Sequence, residues 1–187
     1  MYNIIFLDID GVLNGYTFLN TLGWRFVCFT KSKKLQNWYR DITDPSGVHE
    51  SKVKRLSKLV RQTNSKVVMS STWRHFFWNT PYEEKTDRQK KLQDLLNKYN
   101  IEVIGITPSL QSNKREDEII YWLSSNQEKV KKYVILDDEK ADLTCFENSN
   151  LIQTVTYYPR RFKKFWVKDT GLTNKHVKKA IEYINKR

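Results

Sequence analysis

Short apolar stretches alternate along the chain with longer segments in which apolar residues recur at helical spacing. The apolar stretches have the length of β-strands and are rich in Ile, Val and Leu, which suit strands. These predicted strands lie at 3–9, 66–69, 101–106, 133–136 and 151–157. The predicted helices, with apolar residues every three or four positions, cover 48–62 and 83–99 and two segments that begin near residues 113 and 173. The alternation predicts an α/β fold with a central parallel sheet and helices on both faces.

The last two helices begin at capping residues. Asn113, followed three positions later by Glu116, resembles a capping box, in which the two ends of the first helical turn hydrogen-bond each other. Thr173 is predicted to cap the final helix, whose buried face is marked by Val177 and Ile184. Residues 113 and 173 therefore mark the expected starts of these helices.

Residues 14–46 interrupt the alternation. They contain many aromatic residues and several polar breaks but little periodicity. Long connections of this kind usually carry function, so we interpret this segment as a small flap or cap over one edge of the sheet. A chain of 187 residues without repeats or low-complexity linkers suits one domain, and we predict a single domain spanning 1–187.

The chain is strongly basic, with a formal net charge of +12. Its lysines and arginines cluster at 31–34, 129–132, 160–164 and 175–179, and aromatic residues are interleaved with them. A cationic surface with exposed rings binds single-stranded nucleic acid through its phosphates and stacked bases. A solvated basic surface over an aromatic-rich core would have the same composition, so both interpretations stay open here.

The sequence also bears on location. Its apolar runs are far shorter than the roughly 20 residues of a membrane helix, and its N-terminus lacks the basic and apolar regions of a signal peptide. Cys28 and Cys145 lie far apart without zinc-ligand spacing, so we expect reduced thiols. These features predict a cytoplasmic protein without a membrane segment.

The first predicted strand ends in two carboxylates. Asp8 and Asp10 follow the apolar run 4–7, and Gly11 allows a sharp turn directly after them. Open α/β sheets place reactive groups at this carboxyl edge. Two carboxylates close together need a cation to neutralise them, so the pair predicts a hard metal ion, with Mg²⁺ favoured.

Chemically capable side chains also lie at other strand ends and at the start of one helix. These are Ser70, Ser71, Lys114, Arg115, Asp137 and Asp138. Because parallel strands share one carboxyl edge, these groups are expected to converge on Asp8 and Asp10. Carboxylates with a metal ion, a hydroxyl donor and a cation suit phosphoryl transfer, in which negative charge on oxygens must be neutralised. Trp73 is expected either to pack or to bind substrate by stacking, and Arg74 either to bind a second phosphate or to pair with a surface acid.

Several sequence pieces resemble a known family of phosphohydrolases, the haloacid dehalogenase (HAD) superfamily. The matching motif residues are Asp8 and Asp10 in the first motif, Ser70 in the second, Lys114 or Arg115 in the third, and Asp137 with Asp138 in the fourth. Within the superfamily, the pieces LDIDGVLN, SSTWR, EIIYWL and VILDDE are most similar to phosphatase domains of RNA-repair proteins, relatives of the phosphatase half of polynucleotide kinase-phosphatases. The closing stretch 170–173 is similar as well. The resemblance implies a Rossmann-like three-layer sandwich with a small cap or flap.

The resemblance also implies a role for each acidic residue. Asp8 is the expected nucleophile that forms an aspartyl-phosphate. Asp10 is expected to protonate the leaving oxygen and then to take a proton from the hydrolytic water. The implied Mg²⁺ ligands are the Asp8 carboxylate, the Asp10 backbone carbonyl and an acid of the Asp137 and Asp138 pair. Asp142 is a further candidate from its spacing, because it follows Asp138 by four residues and a helical turn would present both toward the site.

The phosphate is expected to be held by a hydroxyl and a cation. Ser70, which ends the predicted strand, is favoured over Ser71 as the hydroxyl donor. Lys114 and Arg115 are equal candidates for the cation that balances charge on the nucleophile and the phosphate.

These inferences predict a Mg²⁺-dependent phosphomonoesterase that acts on nucleic-acid 3′ ends. The modest cover, the positive charge and the repair-type motifs favour a polymer end over a small metabolite. A nucleotide phosphatase with an incidental basic surface is one alternative, and an inactive nucleic-acid-binding module of the same fold is another. The chain has no Walker-type phosphate-binding loop, so a kinase activity is not expected.

Overall fold

Five parallel strands form one central sheet. The structure, a computed structural model, describes residues 1–14, 30, 32–36, 47–147, 149–155 and 170–186, except for the side chains of residues 77 and 78. The strands are β1 (Tyr2–Leu7), β2 (Ser65–Met69), β3 (Val103–Ile106), β4 (Val130–Asp137) and β5 (Leu151–Gln153). Their order across the sheet is β3-β2-β1-β4-β5, and every pairing between neighbours is parallel. The predicted α/β fold with a central parallel sheet is confirmed.

Helices connect the strands. Among the described residues they include α1 (Glu50–Thr63), α2 (Arg74–Asn79), α3 (Asp87–Lys98), α4 (Arg115–Ser125) and α5 (Asn174–Asn185). Short 3₁₀ helices cover Tyr82–Glu84, Gln127–Lys129 and Ala141–Phe146. The sequence pattern did not predict α2, because its six residues are too few to show a helical period. It also extended the fifth strand too far, since β5 ends at Gln153 and residues 156 and 157 lie outside the described part of the chain.

Both faces of the sheet are buried, and β1 shows how. Side chains alternate between the two faces of a strand, so Ile5 and Leu7 join one apolar cluster with residues of α1, α3 and α5. Ile4 and Phe6 join a second cluster on the other face, with Ile119 of α4. A central strand covered on both sides is continuously apolar rather than alternating, which is why 4–7 contains no polar residue.

The start of α4 differs from the prediction. Asn113 does not cap the helix, because its φ of 51° places it in the left-handed region, which asparagine tolerates better than most residues. Lys114 is the N-cap, without a side-chain capping bond, and α4 begins at Arg115. The Glu116 carboxylate instead accepts hydrogen bonds from Thr144 Oγ1 at 3.2 Å and from Cys145 N at 3.3 Å. The capping box predicted at residue 113 is therefore wrong.

The start of α5 agrees with the prediction. Thr173 Oγ1 accepts a hydrogen bond from His176 N at 3.4 Å, and His176 Nδ1 accepts one from Thr173 N at 3.2 Å. A reciprocal pair of this kind satisfies two backbone donors at once. Thr173 as the cap of the last helix is confirmed.

The described residues do not test two of the predictions. The flap expected over 14–46 lies outside the described residues except for Asn14, Thr30 and residues 32–36. The single domain over 1–187 stays a prediction. Within the described ranges, no helix combines the length and the apolar character that crossing a membrane requires.

Candidate active site at the carboxyl edge of the sheet

The backbone ladder brings three chain segments side by side at the carboxyl edge. Asp8 N donates to the carbonyl oxygen of Leu136 at 3.0 Å, and Ser70 N donates to the carbonyl oxygen of Leu7 at 2.8 Å. These bonds continue the parallel pairing of β1 with β4 and β2. The residues that follow the three strands are therefore neighbours in space, although about 60 residues separate each from the next in sequence.

Three carboxylates converge at this edge. One ligand oxygen each from Asp8, Asp137 and Asp138 lies within 4.8 Å of the other two. Asp8 and Asp137 are 4% and 0% exposed, so their oxygens are withdrawn from bulk water. We call this group the acidic cluster.

Arg115, the first residue of α4, points into the acidic cluster. Its Nη1 forms an ion pair with Asp137 Oδ2 and lies 3.5 Å from Asp8 Oδ1. When all four groups are ionised, three carboxylates and one guanidinium leave a net charge of −2. Oxygen ligands with that net charge fit a hard divalent cation such as Mg²⁺.

Burial makes the charges of the acidic cluster costly. Desolvation raises the pKa of Asp8 from an ordinary 3.8 to about 7; the charge of Asp137 adds to this rise, while Arg115 and the Ser71 hydroxyl oppose it. Desolvation also raises the pKa of Asp137, against the effect of Arg115. The cluster therefore needs more positive charge than Arg115 supplies if Asp8 is to be ionised throughout the neutral range.

Asp10 lies beside the acidic cluster in a different environment. Gly11 turns the chain with a φ of 71°, and the Asp10 side chain is exposed. Its Oδ1 accepts a hydrogen bond from Asn14 Nδ2 at 2.6 Å, and its Oδ2 accepts one from Trp73 Nε1 at 3.0 Å. The Asp10 carboxylate is thus held by two neutral donors and is not among the three converging carboxylates.

The two serines after β2 differ in their contacts. The Ser71 hydroxyl lies close enough to the Asp8 carboxylate to lower its pKa, which brings the end of β2 to the candidate nucleophile. Ser70 Oγ is fully buried and has no hydrogen-bond partner among the described residues. A buried hydroxyl normally has a partner, so Ser70 retains a donor for an incoming oxygen.

The structure separates the two candidate cations. The Arg115 guanidinium contacts the acidic cluster, as described above. The Lys114 side chain is exposed at the N-cap of α4. Of the two, Arg115 is the residue that the fold brings to Asp8.

Arg74 occupies a position that neither sequence interpretation anticipated. Its side chain is buried, and Nη2 donates to Glu118 Oε1 at 2.7 Å and to Ser109 Oγ at 3.2 Å. Glu118 was missed in the sequence, although its spacing of three residues from Arg115 puts both on one face of α4. Arg74 therefore ties the loop after β2 to the helix that supplies Arg115.

The loop that contains Asp10 is held by the segment before α5. Leu172 N donates to the carbonyl oxygen of Val12 at 2.8 Å, and Thr154 Oγ1 donates to the carbonyl oxygen of Gly11 at 2.7 Å. Gly171 has a φ of +69°, and a Cβ there would lie 2.8 Å from the carbonyl oxygens of Val12 and Asn14. The stretch 170–173 thus packs directly against the backbone of the loop.

Comparison with protein-family models identifies this architecture. Residues 4–158 match the model described as the HAD domain in Swiss Army Knife RNA repair proteins. The chain belongs to this family. Comparisons with curated proteins and with solved structures gave no match. The resemblance to the HAD superfamily and to its RNA-repair branch is confirmed.

The match includes β2 to β5, all of β1 except its first two residues, and the acidic cluster. Asp142, a further metal-ligand candidate, has an exposed side chain and does not belong to the acidic cluster. The backbone carbonyl of Asp10 stays a predicted ligand.

Proposed function

We propose that this HAD domain is a phosphomonoesterase that removes the terminal phosphate from nucleic-acid 3′ ends through an aspartyl-phosphate intermediate. The observation that carries the proposal is the pair of carboxylates after β1. Asp8 is buried against Arg115 and the Ser71 hydroxyl, while Asp10 is exposed and held by two side-chain donors. One carboxylate thus suits attack on phosphorus, and the other suits proton exchange with groups that enter from solvent.

In the first step, an oxygen of the Asp8 carboxylate attacks phosphorus and forms a new P–O bond. The bond between phosphorus and the 3′ oxygen breaks, and its electron pair stays on that oxygen. Protonated Asp10 donates its proton to the leaving oxygen. The products are the aspartyl-phosphate on Asp8, an ionised Asp10 carboxylate and a nucleic acid with a free 3′ hydroxyl.

In the second step, the Asp10 carboxylate takes a proton from a water molecule whose oxygen attacks phosphorus. The bond between phosphorus and the Asp8 oxygen breaks, and the electron pair returns to the Asp8 carboxylate. Inorganic phosphate leaves, and Asp10 is protonated again. The exposure of Asp10 allows it to serve the leaving group and the water in turn.

Arg115 and Ser70 supply positive charge and a donor for the phosphoryl oxygens. Arg115 Nη1 lies 3.5 Å from Asp8 Oδ1, close enough to balance charge on the nucleophile and on a phosphoryl group bound to it. The buried hydroxyl of Ser70 would donate to one phosphoryl oxygen and gain the hydrogen bond that it lacks among the described residues. Donors placed in advance where charge develops stabilise the transition state most effectively.

The acidic cluster fits Mg²⁺, and Asp8, Asp137 and Asp138 would hold it. When bound, the ion supplies positive charge that stabilises the ionised Asp8 carboxylate and the phosphoryl oxygens. The net charge of −2 at the cluster is the property of these residues that supports this part of the proposal.

The substrate class is supported by the family and by the charge. The matched family comprises domains of RNA-repair proteins, and a net charge of +12 favours a polyanionic partner. The exposure of Asp10 supports a leaving-group side that faces solvent, where a polymer end has access. A cytoplasmic location stays a prediction.

The proposal is tested by comparing wild type with Asp8→Asn and with Asp142→Asn in Mg²⁺. The substrates are a 3′-phosphorylated oligonucleotide, a 5′-phosphorylated one and free mononucleotides. Asp142→Asn is the matched control, because it makes the same change at an exposed acid outside the cluster. Wild type and the control should hydrolyse the 3′-phosphorylated oligonucleotide fastest, and Asp8→Asn should lose more than about a thousandfold in kcat.

Varying the salt concentration tests the proposed substrate, and chelating the metal ion with EDTA tests the proposed metal dependence. Raising salt from about 50 to 200 mM should lower kcat/KM for the oligonucleotide by about tenfold or more, because polymer binding depends on counterion release. If mononucleotides are hydrolysed fastest and kcat/KM depends only weakly on salt, the substrate is a small nucleotide rather than a polymer end. Activity that persists in Asp8→Asn would refute the nucleophile, and activity unaffected by EDTA would refute the metal.

A further inference from the structure

Asp10 is exposed, yet both oxygens of its carboxylate are fixed by side chains. An exposed aspartate in a glycine-containing turn would ordinarily sample several rotamers. Here Asn14 Nδ2 lies 2.6 Å from Oδ1, and Trp73 Nε1 lies 3.0 Å from Oδ2. The two donors approach from different chain segments, so together they define the orientation of the carboxylate.

Asn14 is itself held in the orientation that this contact needs. Its Oδ1 accepts a hydrogen bond from Gly11 N at 2.7 Å, and the residue is 4% exposed. Turning the amide over would place its oxygen against the Asp10 carboxylate and its NH₂ group against the Gly11 N–H. The buried amide therefore presents Nδ2 to Asp10.

Trp73 is fixed by the turn that connects β2 to α2. Trp73 N donates to Ser71 Oγ at 3.4 Å, and Arg74 N donates to the carbonyl oxygen of Ser71 at 3.0 Å. The next side chain, Arg74, is anchored by the buried ion pair with Glu118. The indole ring packs against the apolar cluster that contains Leu7, so its N–H is held at the edge of the site.

We propose that Asn14 and Trp73 are positioning residues that aim the Asp10 proton at the leaving oxygen; this inference rests on the proposed function and deepens it. Each carboxylate oxygen has two lone pairs. One lone pair on each oxygen accepts from Asn14 or Trp73, so the proton that Asp10 transfers is confined to the remaining directions. In the first step this proton goes to the leaving oxygen as the bond between that oxygen and phosphorus breaks.

The proposal is tested with Trp73→Phe, which keeps an aromatic ring but removes the N–H donor. Trp122→Phe is the matched control, because Trp122 packs edge-on against Phe6 on the other side of the sheet. The substrates are 4-nitrophenyl phosphate, whose leaving group needs little protonation, and phenyl phosphate, whose leaving group needs more. They differ little in shape, so the ratio of their kcat/KM values reports proton donation rather than binding.

Trp73→Phe and Asn14→Ala should each lower kcat/KM for phenyl phosphate about three- to tenfold more than for 4-nitrophenyl phosphate. This loss is smaller than the whole contribution of general-acid catalysis, because Asp10 is still present in both variants. Trp122→Phe should leave the ratio unchanged. Asp10→Asn should change the ratio most, and adding Trp73→Phe to it should change the ratio no further, because Trp73 acts through Asp10. Equal losses on both substrates, or a loss on oligonucleotides alone, would overturn the positioning role.

A second measurement does not depend on activity. The chain has six tryptophans, and the indole N–H signal of Trp73 in a ¹H–¹⁵N spectrum is assigned by its loss in Trp73→Phe. Asp10→Asn should shift that signal and leave the signal of Trp122 in place. If the Trp73 indole signal does not shift in Asp10→Asn, this inference is overturned. If the signal shifts but the wild-type protein hydrolyses no phosphomonoester, the proposed function is overturned instead.

Discussion

Asp8 and Asp10 are two residues apart, yet their surroundings differ in almost every respect. Asp8 is 4% exposed and faces two further acids, and desolvation raises its pKa to about 7. Asp10 is exposed and accepts hydrogen bonds from two neutral donors. The same side chain thus has two different environments, and this difference supports the proposed division of nucleophilic and acid–base work between the two carboxylates.

The largest expected effect separates these two tasks. Asp8→Asn should lower kcat by more than about a thousandfold on every substrate, because the substitution removes the proposed nucleophile. Asp10→Asn should lower kcat/KM by about 10²–10⁴-fold on poor leaving groups and by much less on 4-nitrophenyl phosphate. Equal losses for both variants on both substrates would show that the two acids are not divided in this way.

The next effect concerns the ion pair that supports Trp73. Arg74 and Glu118 are buried, with side chains 9% and 7% exposed, and removing one partner of a buried pair leaves an uncompensated charge. Glu118→Gln should lower the free energy of unfolding by about 3 kcal/mol, measured by urea denaturation. Glu50→Gln is the control, because the pair of Glu50 with Lys98 is exposed. Exposed ion pairs contribute little to stability, so this variant should lose much less than Glu118→Gln. Similar losses in both variants would contradict the assigned difference in burial.

The third expected effect is a substitution that raises the free energy of unfolding, whereas most substitutions lower it. Without metal, folded Asp8 keeps its proton to about pH 7, whereas the unfolded chain loses it near 3.8, so stability falls as pH rises through this window. Asp8→Asn should remove this cost and raise the free energy of unfolding at pH 7.5 by about 2–4 kcal/mol, with little change near pH 3.5. The raised pKa of Asp137 should leave part of the pH dependence in place.

Asp10→Asn provides the contrast for that experiment. Its carboxylate is exposed and already hydrogen-bonded, so the substitution removes no burial penalty and should give no gain at pH 7.5. Unfolding is measured in EDTA by thermal or urea denaturation at several pH values. A variant Asp8→Asn that is less stable than wild type at pH 7.5 would contradict the electrostatic difference between the two acids.

The smallest expected effect concerns the support of the Asp10 loop. Gly171→Ala should lower stability by about 1–2 kcal/mol, because alanine disfavours a φ of +69° and its Cβ would lie 2.8 Å from two carbonyl oxygens. Gly105→Ala is the control, since the nearest atom to a Cβ there is 3.6 Å away, and should change stability by less than about 0.5 kcal/mol. If Gly171→Ala folds, its activity should fall more on phenyl phosphate than on 4-nitrophenyl phosphate. A neutral Gly171→Ala would show that the loop does not depend on this contact.

Much of the fold could be predicted because its causes are local. A strand covered on both faces is continuously apolar, so the apolar run at residues 4–7 predicted the central strand. Thr173 and His176 cap α5 through contacts three residues apart, which sequence spacing shows directly. The flap over 14–46 and the single-domain organisation stay predictions.

The start of α4 is a feature that local sequence patterns did not predict. Each residue in a helix turns by about 100° around the axis, so the residue at which α4 begins decides which side chain faces the acidic cluster. The left-handed φ of Asn113 sets that start at Arg115, and Lys114 becomes exposed. The sequence left the two cations equal because the backbone conformation of Asn113 is not visible in it.

By itself, then, the sequence determined the alternation along the chain of the five strands with α1, α3, α4 and α5, the family and the acids at the strand ends, because strand burial and motif spacing act over a few residues. Tertiary structure decided the contacts of those acids. Trp73 on Asp10, Ser71 and Arg115 on Asp8, and Glu118 on Arg74 join residues that lie far apart in the sequence. Such contacts depend on how a parallel sheet aligns its strand ends, which no single segment specifies.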